Sequence, residues 1–197
     1  MGERKRILLI QGHPDRLASH LCHALEGAYA EGAVASGRQV RRVDVASIDF
    51  PILRTREAWE RGLLPATLQP AQADIGWCDH LVLFFPLWMG DMPALTKGFF
   101  EQVLRPGFAV RPLPGSPVGE KALAGRSARL VVTMGMPALV YRWYFRAHSV
   151  KSLERNILGL CGIAPVNETL IGQVDKLAAQ DVARHLARMR ALGSAGH

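Results

Sequence analysis

Short apolar runs alternate with amphipathic stretches along the whole chain, and this alternation predicts its elements. Residues 6–11 (RILLIQ) form a β-rich apolar run closed by Gly12 and Pro14, the pattern of a buried strand. From about residue 19 to 36, Leu21, Leu25, Ala28 and Tyr29 recur at three- and four-residue steps before Gly37, which predicts a helix. Residues 39–45 alternate as a second strand. Residues 48–69 carry Pro51, Gly62 and Pro65 among scattered apolars and read as a long loop with one helical turn; 71–77 read as a short helix. The run HLVLFF at 80–85 is nearly all apolar, as expected of a parallel strand covered on both faces. Asp91 is placed to cap the following helix, with Pro93 in its first turn and Leu95, Phe99 and Val103 on one face. Residues 105–125 carry four prolines and four glycines and read as a loop. Strands at 129–134 and 165–171 and helices at 149–160 and 175–192 complete the chain.

Strand and helix thus alternate about five times, which argues for an α/β protein built as one doubly wound parallel sheet over residues 1–197, with right-handed crossovers. Ligands of such sheets bind outside the carboxyl ends of the strands. Chemistry is therefore sought in segments 11–19, 86–91 and 133–141.

Composition narrows the class. Of 197 residues, 49% are apolar and 21% charged, which excludes a disordered chain. No apolar run approaches the ~18 residues that span a bilayer, so no membrane insertion is expected. The basic start is followed by only a short apolar stretch, Ile7 to Ile10, too brief for a secretory signal. Cys22, Cys78 and Cys161 are widely spaced and odd in number, which predicts reduced thiols and a cytoplasmic location. The net charge of +7 is uneven: residues 105–155 hold nine basic and two acidic side chains, and nine minus two accounts for the whole excess. Such a stretch suits nucleic acid, an anionic membrane, a phosphorylated ligand, or plain solvated surface.

Each strand end offers distinct chemistry. The turn from Gly12 to His20 leaves a strand and feeds a helix N-terminus, where amides, the helix dipole and Ser19 favour a phosphate. Ordinary capping by Ser19 explains the same residues equally well. Neither a dinucleotide fingerprint nor a P-loop is present. His13, His20 and His23 suggest a metal, but no carboxylate or cysteine completes a ligand set at helical spacing, so none is expected. Pro86, Leu87, Trp88 and Met89 combine flat apolar contacts with main-chain donors, as the wall of a planar redox ring requires. Core packing of Trp88 and Met89 is the plainer alternative. Beyond Thr133–Met136, Tyr141 and His148 can offset negative charge on a bound oxygen and supply a proton, although isolated residues of these types are more often structural.

The long motif Phe85-Pro86-Leu87-Trp88 through Met92-Pro93-Ala94-Leu95-Thr96-Lys97-Gly98-Phe99-Phe100-Glu101, followed by Pro106-Gly107-Phe108-Ala109, resembles the flavodoxin-like NAD(P)H:quinone oxidoreductases of the DT-diaphorase type. His13-Pro14 with Ser19, the stretch from Thr133 to Tyr141 with His148, and Asn156 to Ile163 fit the same family. The resemblance runs from about Ile7 to Arg190. It implies a five-stranded parallel sheet of order 2-1-3-4-5, a bound flavin (FAD or FMN), and a homodimer with sites built at the interface. On that resemblance His13, Ser19, His20, Leu21 and Cys22 would hold the flavin's phosphate end. Pro86, Leu87, Trp88 and Met89 would line its ring and bond it through main-chain groups, and Thr133, Met134, Gly135 and Met136 would meet its other edge. Tyr141 and His148 would assist hydride transfer, and Phe108 would lie over the substrate pocket. The chain departs from the family at Cys22, often Asn, at Met134 and Met136, where the family favours Thr-Gly-Gly, and at Trp88-Met89 in place of Gln-Trp.

The implied activity is a two-electron, ping-pong transfer from NAD(P)H to a quinone-like acceptor. A regulatory flavoprotein subunit of a potassium efflux system is the alternative within the same fold. A one-electron flavodoxin carrier fits less well, since those are acidic with a Thr/Ser-rich phosphate loop, and no nucleic-acid reading motif is present. The charge between residues 105 and 155 is expected to attract the phosphates of NAD(P)H.

Overall fold

The computed structural model describes residues 5–16, 20–115 and 119–197. In chain order the elements are β1 (Arg6–Gln11), α1 (Leu21–Ala35), β2 (Gln39–Asp44), α2 (Arg56–Glu60), α3 (Gln69–Trp77), β3 (His80–Pro86), α4 (Ala94–Val103), β4 (Val110–Arg111), β5 (Glu120–Lys121) and β6 (Ser127–Thr133). These are followed by α5 (Ala138–Trp143), α6 (His148–Ser152), α7 (Gly159–Cys161), β7 (Val166–Ile171) and α8 (Ala179–Ala195). A wider-wound π stretch, Leu153–Leu158, joins α6 to α7 as one helical run.

Five strands form an all-parallel sheet in the order β2-β1-β3-β6-β7, the expected 2-1-3-4-5 arrangement. Burial explains that order. Every residue of β3 is buried, as are all but the first of β1 and β6, so these apolar runs take the centre. QVRRVD and VNETLI keep several exposed or half-exposed positions and occupy the edges. Side-chain alternation divides the core in two. Leu8, Ile10, Leu81, Leu83, Phe85, Leu130 and Val132 pack under α3 and α4. Ile7, Leu9, Val82, Phe84 and Val131 pack under α1 and α8.

Three local readings change. The helix expected from residue 19 begins at Leu21, with His20 as its N-cap and no side-chain cap, and Ser19 lies outside the described residues. Asp91 does not cap α4: Pro93 takes that position, and the Asp91 carboxylate instead accepts from its neighbour Met92 N at 2.7 Å. Pro93 accepts the first helical hydrogen bond, from Lys97 N at 3.0 Å, and offers no side-chain acceptor to the amides of the first turn. Finally, α5 and the small β4–β5 hairpin arise where the sequence suggests irregular chain; both are too short for periodicity to reveal.

Candidate active site at the carboxyl ends of the strands

The turn after β1 is fixed from both sides. Gly12 donates its amide to Phe84 O at 2.7 Å, and its carbonyl accepts from the buried Thr96 hydroxyl at 2.7 Å. A Cβ at Gly12 would lie 3.0 Å from Phe84 O and from the Thr96 side chain, so this close approach needs glycine. The buried Gln11 side chain accepts from His13 N at 3.1 Å and donates to Cys22 O at 3.3 Å, tying the strand end to the helix start.

Three imidazoles gather on this turn. The rings of His13 and His20 stack at 4.1 Å with 21° between their planes, and His23 lies 5.4 and 5.9 Å from them. His20 Nε2 sits 2.8 Å from the Asp15 carboxylate. Burial, followed by the neighbouring His20, pushes the His13 pKa below its ordinary value, and the same causes act on His23. The amides of Leu21 and Cys22, in the first turn of α1, have no acceptor among the described residues.

After β3, Leu87 N donates to Thr133 O at 2.7 Å, while Trp88 and Asp91 exchange backbone hydrogen bonds of 2.8 and 3.0 Å. Met89 and Gly90 therefore form a two-residue turn with φ of 48° and 83°. Both central residues of such a turn take positive φ, which suits Gly90 and strains Met89. The Met89 side chain is fully exposed at the tip. This corrects part of the expectation for main-chain donors: the Leu87 and Trp88 amides are engaged internally. Those of Met89, Gly90, Gly135 and Met136 have no partner among the described residues.

After β6, Thr133 and Met134 are buried, and the Thr133 hydroxyl side chain meets the Cys22 thiol. Met134 and Met136 pack onto the core, so the methionines that replace a family threonine and glycine turn inward. Burial pushes the Cys22 and Cys78 thiols up to about 12 and that of Cys161 to about 11, which leaves all three inert as nucleophiles at neutral pH.

These strand ends enclose one cavity of about 390 Å³, lined by His13, Asp15, His20, Leu21, Cys22, Pro86, Leu87, Trp88, Thr133, Met134, Gly135, Val174 and Asp175. Its volume lies in the range of small-molecule sites. Ten of its lining residues were candidates from the sequence. Asp15 belongs to the first turn but was not singled out. Val174 and Asp175 come from the end of β7, where Val174 N donates to Met134 O at 3.2 Å. Applying the strand-end rule to β7 as well would have found them.

Tyr141, His148 and Phe108, like Met89 and Met136, do not line the cavity. Tyr141 is buried, with its hydroxyl 2.5 Å from Ser149 Oγ. His148 is exposed at the start of α6. Phe108 packs against Gly76 near the end of α3, a helix that leads into the amino end of β3, so within one chain it lies away from the cavity.

The sequence pattern of the flavodoxin-like fold matches residues 5–192. The chain belongs to this flavodoxin-like family. Among curated relatives, it is 28% identical over 171 residues to the uncharacterized NAD(P)H oxidoreductase of Haemophilus influenzae, covering 85% of this chain and 83% of that protein. A shorter match, 44% over 64 residues and 32% of each chain, is to the glutathione-regulated potassium-efflux system ancillary protein KefG of Cronobacter sakazakii. The family fold is also that of Smu.1420 from Streptococcus mutans, with a TM-score of 0.81 and 25% identity over 96% of this chain and 99% of that one. It is shared by the NAD(P)H:quinone oxidoreductase from Methanothermobacter marburgensis, with a TM-score of 0.78 and 22% identity over 99% of this chain and 100% of that one. An FMN-dependent NADH-azoreductase from Bacillus anthracis, solved in complex with FMN, gives a TM-score of 0.74 at 15% identity over 97% of this chain and 98% of that one.

Proposed function

We propose that this protein is a cytoplasmic, single-domain flavoenzyme that uses NAD(P)H to reduce a quinone-like acceptor. The observation that carries the reading is the cavity at the ends of β1, β3, β6 and β7, where the stacked imidazoles of His13 and His20 meet the indole of Trp88, which lies edge-on to His13 at 6.0 Å. The names of the NAD(P)H oxidoreductase relative and the quinone-reductase neighbour support it.

The residues present fit a flavin, FMN or FAD. The Leu21 and Cys22 amides, without acceptors among the described residues, would meet its phosphate beside His13 and His20. Ser19, outside the described residues, would add its hydroxyl. Pro86, Leu87 and Trp88 would line the ring on one side, and Thr133, Met134 and Gly135 on the other. Met89, from the turn tip, and Met136, from the core-facing side, would offer main-chain amides. Such a group, when bound, supplies a two-electron carrier between NAD(P)H and acceptor in a ping-pong order. The protein's share is orientation and electrostatics: Tyr141, through Ser149, and the neighbouring His148 would offset negative charge near the ring.

A homodimer is part of this proposal. Two apolar grooves of about 350 and 720 Å³ share Trp59, Leu104, Leu160 and Cys161, and a second copy would cover them. Phe108 would reach a substrate only through such an assembly. Sedimentation velocity on the purified protein checks the oligomeric state.

The decisive experiment is to heat the purified protein and record the mass and absorbance of what is released. NAD(P)H should then bleach the visible band of a flavin-loaded sample; no bleaching would sink the proposal. The similarity to the potassium-efflux ancillary protein supports a second, regulatory reading, which predicts co-purification with a membrane channel.

A further inference from the structure

Residues 138–146 present large apolar side chains that neither half of the core accounts for. Leu139, Trp143 and Tyr144 are 70%, 76% and 79% exposed, and Val140 and Phe145 are exposed beside them. Tyr144 and Phe145 meet edge to face at 5.0 Å, which gathers the rings without burying them. Contiguous apolar groups of this kind mark surfaces that something else covers. The turn that carries them is firmly held. Arg146 and Ala147 both take positive φ, 53° and 49°, and Ala147 is buried with its amide donating to Tyr141 O at 3.0 Å. Two such non-glycine residues in succession persist only where packing imposes them.

Charge indicates the covering partner. Residues 138–155 hold four basic side chains and one acid, a net of +3. Glu168 engages Arg142 at 2.5 Å, whereas Arg146, Lys151 and Arg155 are exposed with no carboxylate partner among the described residues. Lys151 and Arg155 stand four residues apart on the helical run that follows the aromatic turn, and so share a face. A second copy pairing through this patch about a two-fold axis would oppose like charges. An anionic bilayer satisfies both halves: indole and phenol rings settle at the headgroup level while the cations attract the lipid phosphates.

We propose that this aromatic and basic surface docks the protein peripherally on an anionic lipid bilayer. Gly135 lines the cavity and Leu139 follows four residues later, so docking brings the cavity's rim towards the membrane, where lipid-soluble quinones reside. That consequence rests on the quinone-reductase reading; the docking does not.

Flotation of the full chain with vesicles tests it. The protein should float with phosphatidylcholine vesicles enriched in phosphatidylglycerol, fail to float with phosphatidylcholine alone, and detach as salt rises. The pair Trp143→Ser with Tyr144→Ser, and separately Lys151→Glu with Arg155→Glu, should each weaken flotation, the charge pair on the order of twentyfold or more. All variants should melt like the parent, and the Trp143 and Tyr144 pair should reduce a water-soluble quinone at the parent rate. Absence of that activity in the parent would overturn the quinone-reductase reading while leaving the vesicle result intact. Docking is overturned by equal binding to neutral vesicles, by variants that float like the parent, or by a lipid-free change in oligomeric state on substituting Trp143 and Tyr144.

Discussion

The hydroxyls of Tyr141 and Ser149 lie 2.5 Å apart, joining α5 to α6, and Val150 N also approaches the Tyr141 oxygen at 3.4 Å. This bond turns a residue expected to face a reacting oxygen into one held by the protein itself. If the phenol acts on the reaction through Ser149, Tyr141→Phe should lower kcat by about a hundredfold while costing about 1 kcal/mol of stability. Ser149→Ala should cost similar stability and lower kcat less. Equal, small kinetic losses in both variants would reduce Tyr141 to an anchor.

Thr96 holds the first turn from across the sheet, its buried hydroxyl donating to Gly12 O. Thr96→Val should destabilise the protein by about 1–2 kcal/mol, since the Gly12 carbonyl loses its partner in a dry setting. It should also weaken flavin retention, because that turn shapes the cavity. Chemical denaturation and fluorescence titration with FMN read the two effects; unchanged affinity would separate the turn from the ligand.

His80 is buried at the start of β3, with Nδ1 2.8 Å from Ser127 Oγ. Burial, reinforced by Lys5 and Arg129, lowers its pKa to about 3. A depressed histidine contributes stability that is complete above its unfolded value near 6.5 and is lost as pH falls towards 3. Its full contribution is on the order of 5 kcal/mol. His80→Gln should flatten the loss of stability between about pH 6.5 and 4 in pH-dependent melting. An unaltered slope would assign that loss to His13 and His23, whose pKa values are also lowered.

The charge of segment 105–155 divides by role. Arg105 is buried and donates to the Ala58 and Gly62 carbonyls, Arg126 donates to Gly76 O, and Arg129 donates to the Thr169 hydroxyl. These cations serve the fold. Arg146 is exposed beside the aromatic turn, and we expect Arg146→Glu to raise KM for NAD(P)H more than KM for the quinone. Steady-state kinetics with both substrates varied checks this, and equal shifts would make Arg146 plain surface as far as the nucleotide is concerned.

The sequence alone determined the sheet and where to look on it. Fully apolar runs at β1, β3 and β6 must be buried on both faces, so they lie at the centre, and a doubly wound sheet puts its ligands at their carboxyl ends. The family motif around Pro86 carried the flavin expectation. Tertiary structure decided matters that depend on distance and direction. It stacked His13 on His20, engaged the Leu87 and Trp88 amides within the fold, and sent Met89 to a turn tip. It also moved Phe108 away from the cavity within one chain and brought in Val174 and Asp175 from the last strand. None of these is legible in a pattern, because periodicity reports which face a residue takes along its own element. Only the packing of one element on another decides which atoms meet.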